Sequence, residues 1–335
     1  MKSCAIVILN YNGEKMLKTF FPSVFSLSTY DVIVIDNAST DSSVDFLEKN
    51  YPQVSIILLA ENFGYAGGYN WGLEQLKGQF EYYILLNSDV EVTAGWDFDL
   101  ISWIRKNPEY SAIQPKILSW QDKNKFDYAG AGGGFLDSLG YPYCRGRIWD
   151  TIETDLGQYD DAIQVDWASG ACFVVNANHF HHLGGFDAHF FAHMEEIDLC
   201  WRMRRSGWKI GYQGKVSVFH LGGATLDRSS PRKLHLNIRN SLYMLYKLES
   251  PVKFLLIFLF KALLETAATL SYILGGKKYL AKAIVSGYLD FIKNRGLIEK
   301  FNPDKSATTL IPTQSKVKFV FWNYKILGRK IYSEL

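Results

Sequence analysis

The chain has 335 residues, of which 48% are hydrophobic and 21% are charged, and its formal net charge is +2. This composition predicts a packed core and excludes a disordered chain, and the near-neutral charge gives no support for binding to nucleic acid. The four cysteines form no C-x-x-C pair, so a zinc or redox motif is not supported, and widely spaced thiols are typical of a reducing compartment. Because the N-terminus also lacks a signal-peptide pattern, we expect a cytoplasmic protein.

The first 90 residues predict alternating strands and helices. Continuous apolar runs are typical of buried strands, and they occupy residues 4–9, 31–36, 54–59 and 82–86. Helices are expected at residues 14–27 and, after a cap at Ser39 or Thr40, through Asn50. This alternation indicates an α/β fold with a mostly parallel central sheet flanked by helices, Rossmann-like in its nucleotide-binding half.

Polar side chains follow three of these strands, at the sheet edge where ligands bind in such folds. Asn10, Tyr11 and Asn12 follow the first strand, Asp36 ends the second, and Asn87, Ser88 and Asp89 follow the fourth. The Asp36 carboxylate would accept hydrogen bonds from a base or a ribose, although a turn-forming role explains this residue equally well. A carboxylate at Asp89 would bind Mg²⁺ or Mn²⁺, which neutralises a diphosphate.

A glycine-rich segment covers residues 61–72 and is followed by helical sequence. Glycines such as Gly64 and Gly67 would let the backbone approach a ligand, and the amides of Asn62 and Asn70 would bind ribose or base edges. The helix would direct its N-terminus at phosphate. The segment matches neither a Walker loop nor G-x-G-x-x-G, and an ordinary glycine-rich connection is the alternative.

The second half of the chain is less regular. Residues 124–164 predict an irregular loop or a small hairpin, and the elements expected after them are a strand at 165–175, a helix at 197–205, a strand at 210–220 and a helix at 233–248. From Pro251 the composition shifts towards apolar residues and lysine. We therefore expect a catalytic domain over residues 1–250 and a helical C-terminal region over residues 251–335.

Two further groups of residues are candidates for chemistry. His220 ends the last predicted strand and is a candidate second metal ligand, although a lone histidine is more often structural. Glu195, Glu196 and Asp198 form the densest acidic cluster, and a carboxylate there would take a proton from an attacking hydroxyl. Acids also stabilise a helix N-terminus, and Asp198 lies one turn before Arg202, as in a structural ion pair.

Taken in order, these segments resemble glycosyltransferase family 2 with its GT-A fold, and most closely the bacterial rhamnosyltransferase-like branch. The resemblance covers residues 1 to about 245 and implies that Asp36 contacts the base, that Asp89 and His220 bind the metal, and that the Glu195–Glu196 pair supplies the catalytic base. Two positions depart from the family pattern. Asn87 replaces the first aspartate of the D-x-D motif, and Glu196 stands where the family usually has Asp.

The resemblance implies an inverting, metal-dependent glycosyltransferase with Mg²⁺ or Mn²⁺ as its cofactor. The nucleotide-sugar donor would be dTDP-rhamnose or, next, a UDP-hexose, and the acceptor a hydroxyl of a polysaccharide or lipid-linked glycan in cell-surface glycan synthesis. A sugar nucleotidyltransferase is one alternative, but its glycine-rich, basic N-terminal signature is missing. A non-catalytic nucleotide-sugar-binding scaffold is another, and the presence of Asp89, Glu196 and His220 argues against it.

The C-terminal region contains one long apolar segment, residues 254–274. It is long enough to span a bilayer but includes Lys261 and Glu265, each of which would cost about 2.5 to 3.5 kcal/mol near a helix centre. Both residues fall near one polar stripe, which leaves a broad apolar face. We expect a helix that lies in the membrane interface at the inner face of the cytoplasmic membrane. The alternatives are packing on the catalytic domain or in a homodimer.

Overall fold

A mixed central sheet organises the chain, and the computed structural model describes it for residues 1–222, 230–303 and 310–335. The strands that this part of the chain forms are, in order, β1 (Lys2–Asn10), β2 (Asp31–Asp36), β3 (Ser55–Leu58), β4 (Phe80–Asn87), β5 (Val90–Glu91), β6 (Tyr110–Ser119), β7 (Gly134–Leu136), β8 (Pro142–Cys144), β9 (Arg147–Ile148), β10 (Thr151–Ile152), β11 (Ala162–Val165), β12 (Cys172–Asn176) and β13 (Lys209–His220). Its α-helices are α1 (Glu14–Leu27), α2 (Ser43–Asn50), α3 (Gly64–Glu74), α4 (Trp96–Lys106), α5 (Ala177–His182), α6 (Glu195–Arg205), α7 (Pro231–Leu248), α8 (Pro251–Leu274) and α9 (Lys278–Asn294).

The strand order of the central sheet is β11–β13–β6–β12–β4–β1–β2–β3, with β5 paired to the end of β13. The neighbours β3, β2, β1 and β4 are parallel, as their apolar runs predict. Alternate side chains of β1 enter two hydrophobic clusters, one shared with α3 and the other with α1 and α4. Helices therefore cover both faces of the sheet. The register pairs Asn10 with Asp36 and Leu9 with Asn87, which brings the three polar strand ends to one edge.

The predicted strand over residues 165–175 is wrong, because this stretch forms the end of β11, a loop and the start of β12. The loop bends away because its polar residues are held inside the protein. Asp166 accepts a hydrogen bond from the backbone N–H of Leu136, and the N–H of Ser169 donates to Gln114 on β6. After the loop, β12 lies antiparallel between β4 and β6, so this half of the sheet is mixed.

The segment predicted to be an irregular loop or hairpin forms a second sheet of four short strands, ordered β10–β9–β8–β7. The C-terminal strap, which we define as residues 310–335, crosses this sheet. The ring of Tyr332 stacks on Phe135 with centroids 5.6 Å apart, and the N–H of Val320 donates to Asp137 at 3.0 Å. The strap therefore completes the fold of the small sheet.

Helix α8 carries its charged residues on the side that faces the protein. Lys261 and Glu265 form an ion pair with 3.3 Å between Nζ and Oε1, and both side chains are buried. The Tyr141 hydroxyl donates to Glu265 at 2.8 Å. The polar stripe anticipated from the sequence thus packs against the protein. The next helix, α9, is also joined to the core, because Phe291 belongs to the same hydrophobic cluster as residues of the parallel strands.

Candidate active site

The turns after β1 and β2 are joined by buried polar contacts. The Asn10 amide donates to Asp36 at 2.9 Å, and the hydroxyl and N–H of Ser39 donate to the same carboxylate at 2.6 and 2.8 Å. Both oxygens of Asp36 are therefore engaged inside the turn, which supports a turn-forming role, and the contact of Asp36 with a base stays a prediction. Asn10 keeps its side-chain oxygen buried and without a partner.

Two neighbouring residues of the first turn face outwards. Tyr11 has 48% of its surface exposed, so its aromatic ring is open to solvent at this sheet edge. Asn12 adopts a left-handed backbone with φ of 49°, and its side-chain oxygen accepts the N–H of Thr40 at 2.7 Å. The contact of these two residues with a nucleotide stays a prediction.

The glycines of the 61–72 segment serve helix packing, and the contacts with a nucleotide-sugar predicted for Gly64 and Gly67 stay predictions. A Cβ on Gly72 would lie 2.1 Å from the Ile35 side chain, and a Cβ on Gly67 would lie 2.8 Å from Phe63. Gly72 therefore lets α3 approach the sheet closely, whereas Gly67 leaves room for Phe63 at the start of the same helix. The first amides of α3 are also occupied, because the N–H of Tyr65 donates to the carbonyl of Phe191 at 2.9 Å.

The other residues predicted in this segment are likewise engaged inside the protein. Gly64 has a φ of 72°, a conformation that suits glycine, and its N–H donates to the Asn62 side chain at 2.9 Å. Asn62 also accepts the amide of Asn37, a residue that the sequence analysis did not single out. Asn70 binds the backbone of Phe186 through both ends of its amide, at 2.6 and 2.9 Å. Asn62 and Asn70 thus fix loops around the site.

The turn after β4 and the end of β13 bring Asp89 and His220 together, as the sequence analysis expects. Pairing of β5 with β13 sets their register. Nε2 of His220 lies 3.2 Å from the Asp89 carboxylate, and its Nδ1 lies 3.4 Å from Asp127. All three side chains are buried. Burial alone would lower the pKa of His220, but its contacts with Asp127 and Asp89 outweigh burial and raise that pKa to about 10.

This arrangement fits a divalent cation once His220 loses the proton that its raised pKa reflects, because only a neutral imidazole binds a metal. Adjacent ligands of an octahedral Mg²⁺ site lie roughly 3 Å apart, close to the 3.2 Å between Nε2 of His220 and Asp89. Asp127 faces the other ring nitrogen, where a carboxylate orients a metal-binding imidazole. In the described ranges no three His, Cys, Asp or Glu side chains are arranged to hold an ion by themselves. Such an ion would need further ligands, which phosphates commonly supply.

The acids at the start of α6 differ in their surroundings. Asp198 is fully buried and paired with Arg202 at 2.7 Å and Lys247 at 3.2 Å, which supports a structural role. Glu195 is 4% exposed and has a buried oxygen without a partner. Burial and the neighbouring charge of Glu196 raise the pKa of Glu195 well above its usual value. Burial also raises the pKa of Glu196, to about 7.

A loop of residues 169–171 links Glu196 to the turn after β4. The N–H of Gly170 donates to the Glu196 carboxylate, while the carbonyl of Ala171 accepts the N–H of Asn87 at 3.1 Å. The Tyr65 hydroxyl donates to the carbonyl of Gly170 at 3.1 Å. This loop therefore connects the acid pair to the Asn87–Asp89 turn.

Sequence reasoning missed Asp127 and Gly170. Asp127 lies in a segment without hydrophobic periodicity, where no pattern points to a single acid. Gly170 is tightly confined, because a Cβ there would lie 2.8 Å from the Tyr65 hydroxyl. Its position inside a predicted strand was the available signal, since a glycine within a strand pattern often marks a break.

The chain matches the family model described as "Glycosyl transferase family 2" over residues 5–180. It is 25% identical to the low-salt glycan biosynthesis hexosyltransferase Agl10 of Haloferax volcanii, over 70% of this chain and 73% of that protein. It is 28% identical to the N-acetylglucosaminyl-diphospho-decaprenol L-rhamnosyltransferase of Mycobacterium tuberculosis, over 64% of this chain and 75% of that protein. The rhamnosyltransferase WbbL of Escherichia coli is 21% identical over 64% of this chain and 81% of its own length.

Two solved structures share the fold. The mannosyltransferase PcManGT from Pyrobaculum calidifontis, in complex with GDP-Man and Mn²⁺, superimposes with a TM-score of 0.53 at 13% identity, over 88% of both chains. GalNAc-T7 with UDP, GalNAc and Mn²⁺ gives a TM-score of 0.57 at 16% identity, over 73% of this chain and 48% of that one. Because the family model covers more than half of the chain, this protein belongs to glycosyltransferase family 2, with the GT-A fold and the glycosyltransferase activity of that family, and it resembles the rhamnosyltransferase-like branch.

Proposed function

We propose that the protein is an inverting, metal-dependent glycosyltransferase that works in the cytoplasm on cell-surface glycans. It transfers a sugar from a nucleotide-sugar to a hydroxyl of a polysaccharide or lipid-linked glycan. The preferred donor is dTDP-rhamnose, followed by UDP-hexoses. Relatives described as a diphospho-decaprenol rhamnosyltransferase and a glycan hexosyltransferase support these substrate classes.

Glu196 is the catalytic base. Burial and the charge of Glu196 raise the pKa of the more deeply buried Glu195 well above its usual value, which favours the protonated form of this acid. Glu196 has a pKa of about 7 and a partly exposed side chain, so its carboxylate is both ionised and reachable near neutral pH. A base with a pKa near the working pH transfers protons most effectively. The link from this pair through residues 169–171 to the Asn87–Asp89 turn is the observation that carries the proposal.

Transfer inverts the anomeric centre. A base that activates the acceptor hydroxyl on the face opposite the leaving diphosphate allows direct displacement. A retaining double displacement would need a second, free carboxylate as nucleophile. Asp36 and Asp198 are unsuited to that task, because hydrogen bonds and ion pairs already occupy their carboxylates.

Asp89 and His220 would hold Mg²⁺ or Mn²⁺, with Asp127 orienting the imidazole. The bound cation supplies charge neutralisation for the departing diphosphate. Tyr11 would stack on the base, and the exposure of its ring supports this role. The exposed Asn12 and the partly exposed Ser88 would bind the ribose or a phosphate.

A donor screen tests the proposal. Purified protein would be incubated with dTDP-rhamnose, UDP-hexoses and GDP-mannose, each with Mn²⁺ or with excess EDTA, and a diphospho-lipid glycan would serve as acceptor. We expect metal-dependent release of nucleoside diphosphate, stimulated by acceptor, and NMR of the product should give the inverted anomer. Full activity in EDTA would refute the metal role. Nucleotide binding without turnover would indicate a scaffold, and release of pyrophosphate from a sugar phosphate and a nucleoside triphosphate would indicate a nucleotidyltransferase.

A further inference from the structure

Helix α8 distributes its polar and apolar side chains in the reverse of the usual way for a surface helix. Its two central charges, Lys261 and Glu265, face the protein, whereas large apolar side chains face outwards. At least 44% of the surface of each of these outward residues is exposed: Val252, Leu255, Leu256, Leu259, Phe260, Leu263, Leu270, Ile273 and Leu274. A contiguous apolar face of this size marks a surface that is covered by something else.

The apolar face continues onto the C-terminal strap. The rings of Phe260 and Phe319 stack with centroids 6.4 Å apart, and Trp322 lies one turn beyond with 55% of its surface exposed. We call the exposed face of α8 together with Phe319 and Trp322 the C-terminal surface. Tryptophan at the border of an apolar face is typical of the membrane–water interface.

The region that carries this surface is rich in exposed cations. Residues 251–335 contain 14 Lys and Arg against 5 Asp and Glu, a net charge of +9, whereas residues 1–250 contain 22 against 29, a net charge of −7. Within the described part of the region, the exposed acids are Glu299 and Glu334, and the exposed bases are Lys253, Lys277, Lys278, Lys282, Lys293, Arg295, Lys300, Lys316, Lys318, Lys325, Arg329 and Lys330. This charge complements an anionic surface.

The chain path excludes a membrane-spanning α8, although this is the one described helix that is long and apolar enough to cross a bilayer. Residues that come after α8 in the sequence form hydrogen bonds with residues that come before α8. Thr313 donates to Asp166 at 2.6 Å, and Val320 donates to Asp137 at 3.0 Å. A spanning α8 would leave these partners on opposite sides of the bilayer, so α8 must lie along one side.

We propose that the C-terminal surface docks on an anionic phospholipid bilayer, with α8 lying flat in the interface. Its outward leucines and phenylalanines enter the boundary between headgroups and acyl chains, while the surrounding lysines meet lipid phosphates. The ion pair that faces inwards keeps charge out of the apolar layer. This inference does not rest on the proposed donor, metal or base, so the two proposals can fail separately.

A second copy of the chain fits the surface less well. A two-fold dimer would bring the same patch of both copies together. Each copy would then present its exposed cations to those of the other, with Glu299 and Glu334 as the exposed acids described in the region. The charge therefore favours lipid over self-association.

Vesicle sedimentation tests the proposal with the full-length protein. Sucrose-loaded vesicles of phosphatidylcholine alone, or with about one third phosphatidylglycerol, would be mixed with protein at low and high salt. We expect binding to the anionic vesicles that weakens as salt rises, because screening shortens the reach of the lysines. Replacing Lys277 and Lys278 by Ala should weaken binding by about fivefold for each charge.

Matched leucine variants separate the apolar contribution from a general effect of added charge. Leu263→Glu lies on the C-terminal surface at 68% exposure and should weaken binding at least about tenfold. Leu156→Glu, at 85% exposure but outside residues 251–335, should bind like wild type. Three results would overturn the proposal. The first is no binding to either kind of vesicle, and the second is a wild-type dimer that dissociates in Leu263→Glu. The third is protein in cell membranes that alkaline carbonate does not release and that needs detergent, as a membrane-spanning helix would.

Discussion

Replacing Glu196 by Gln tests the proposed base with little change in shape. Glutamine keeps the length of the side chain and an oxygen that can accept the N–H of Gly170, but it cannot take a proton. General-base help is worth about 10²- to 10⁴-fold in rate, so kcat should fall by that factor. Donor affinity should stay within about twofold of wild type, because the change lies on the acceptor side of the site.

The pH dependence gives a second readout from the same variant. Because Glu196 must be ionised to act and its pKa is about 7, wild-type kcat/KM should rise about tenfold per pH unit below 7 and level off above it. The residual activity of Glu196→Gln should lack this rise. A flat wild-type profile between pH 5.5 and 8 would contradict the assignment.

As pH rises from about 4.5 to 7, the stability of the folded protein should fall while its activity rises. The folded pKa of Glu196 is raised from 4.5 to about 7, so the native state holds a proton that the unfolded state has lost in this window. The stability contribution of this residue is therefore lost as pH rises from about 4.5 to 7, by at most about 3 kcal/mol. Glu196→Gln should unfold at a higher temperature than wild type at pH 8, and the difference should vanish near pH 4.5.

Glu195→Gln is the matched control. Because burial and the charge of Glu196 favour the protonated form of Glu195, its neutral isostere should lower kcat by less than the roughly 10²-fold expected for loss of a general base. Both variants would be assayed by coupled detection of released nucleoside diphosphate, with donor affinity measured by calorimetry. Normal turnover by Glu196→Gln together with a large loss in Glu195→Gln would reverse the two roles. Normal turnover by both would place the base outside α6.

Three further substitutions probe the metal site and the packing. Asp127→Asn should weaken Mn²⁺ binding by about ten- to a hundredfold, because the imidazole beside it loses its orienting carboxylate; paramagnetic resonance titration measures this, and unchanged affinity would remove Asp127 from the site. Gly72→Ala should destabilise the fold by at least about 1 to 3 kcal/mol in urea unfolding, whereas Gly296→Ala, whose Cβ would have open space, should not. Lys261→Met should cost about 3 to 5 kcal/mol, because Glu265 would remain buried without its cation. A variant that also replaces Glu265 by Leu should recover most of that loss.

The parallel half of the fold is predictable from the sequence because its signals are local. Continuous apolar runs can be buried on both faces only in a covered sheet, and the four predicted strands lie within about two residues of β1, β2, β3 and β4. The break inside residues 165–175 escaped prediction because β-branched and aromatic residues flank it on both sides. What bends the chain there is a set of long-range partners, Gln114 among them, that no local window contains.

The glycine-rich segment shows a different limit. A glycine required by a ligand and a glycine required by a neighbouring side chain look the same in a sequence. Gly72 faces Ile35, and Gly68 would place a Cβ 2.8 Å from Leu9, so both allow helix α3 to lie close to the sheet. Only the positions of the facing side chains, which belong to strands far away in sequence, separate the two explanations.

The segment before α6 links backbone strain to the proposed chemistry. Phe191, His193 and Met194 all have left-handed backbones, with φ of 63°, 70° and 74°. Each such non-glycine conformation costs about 1 to 3 kcal/mol and persists only where surrounding contacts impose it. The buried amide of Asn240 imposes it here by donating to the carbonyls of Phe190, Ala192 and His193 at 3.0, 2.9 and 2.7 Å.

That strained segment ends at Glu195, the acid with a buried oxygen and no partner. An unpaired buried carboxyl and a strained backbone both reduce stability, and the protein carries them side by side while it pairs Asp198 with two cations a turn later. Packing alone would favour the opposite arrangement, in which every buried acid at this helix terminus is compensated. The Glu195–Glu196 pair is therefore a place where this fold gives up stability, as expected for the role in proton transfer that we propose.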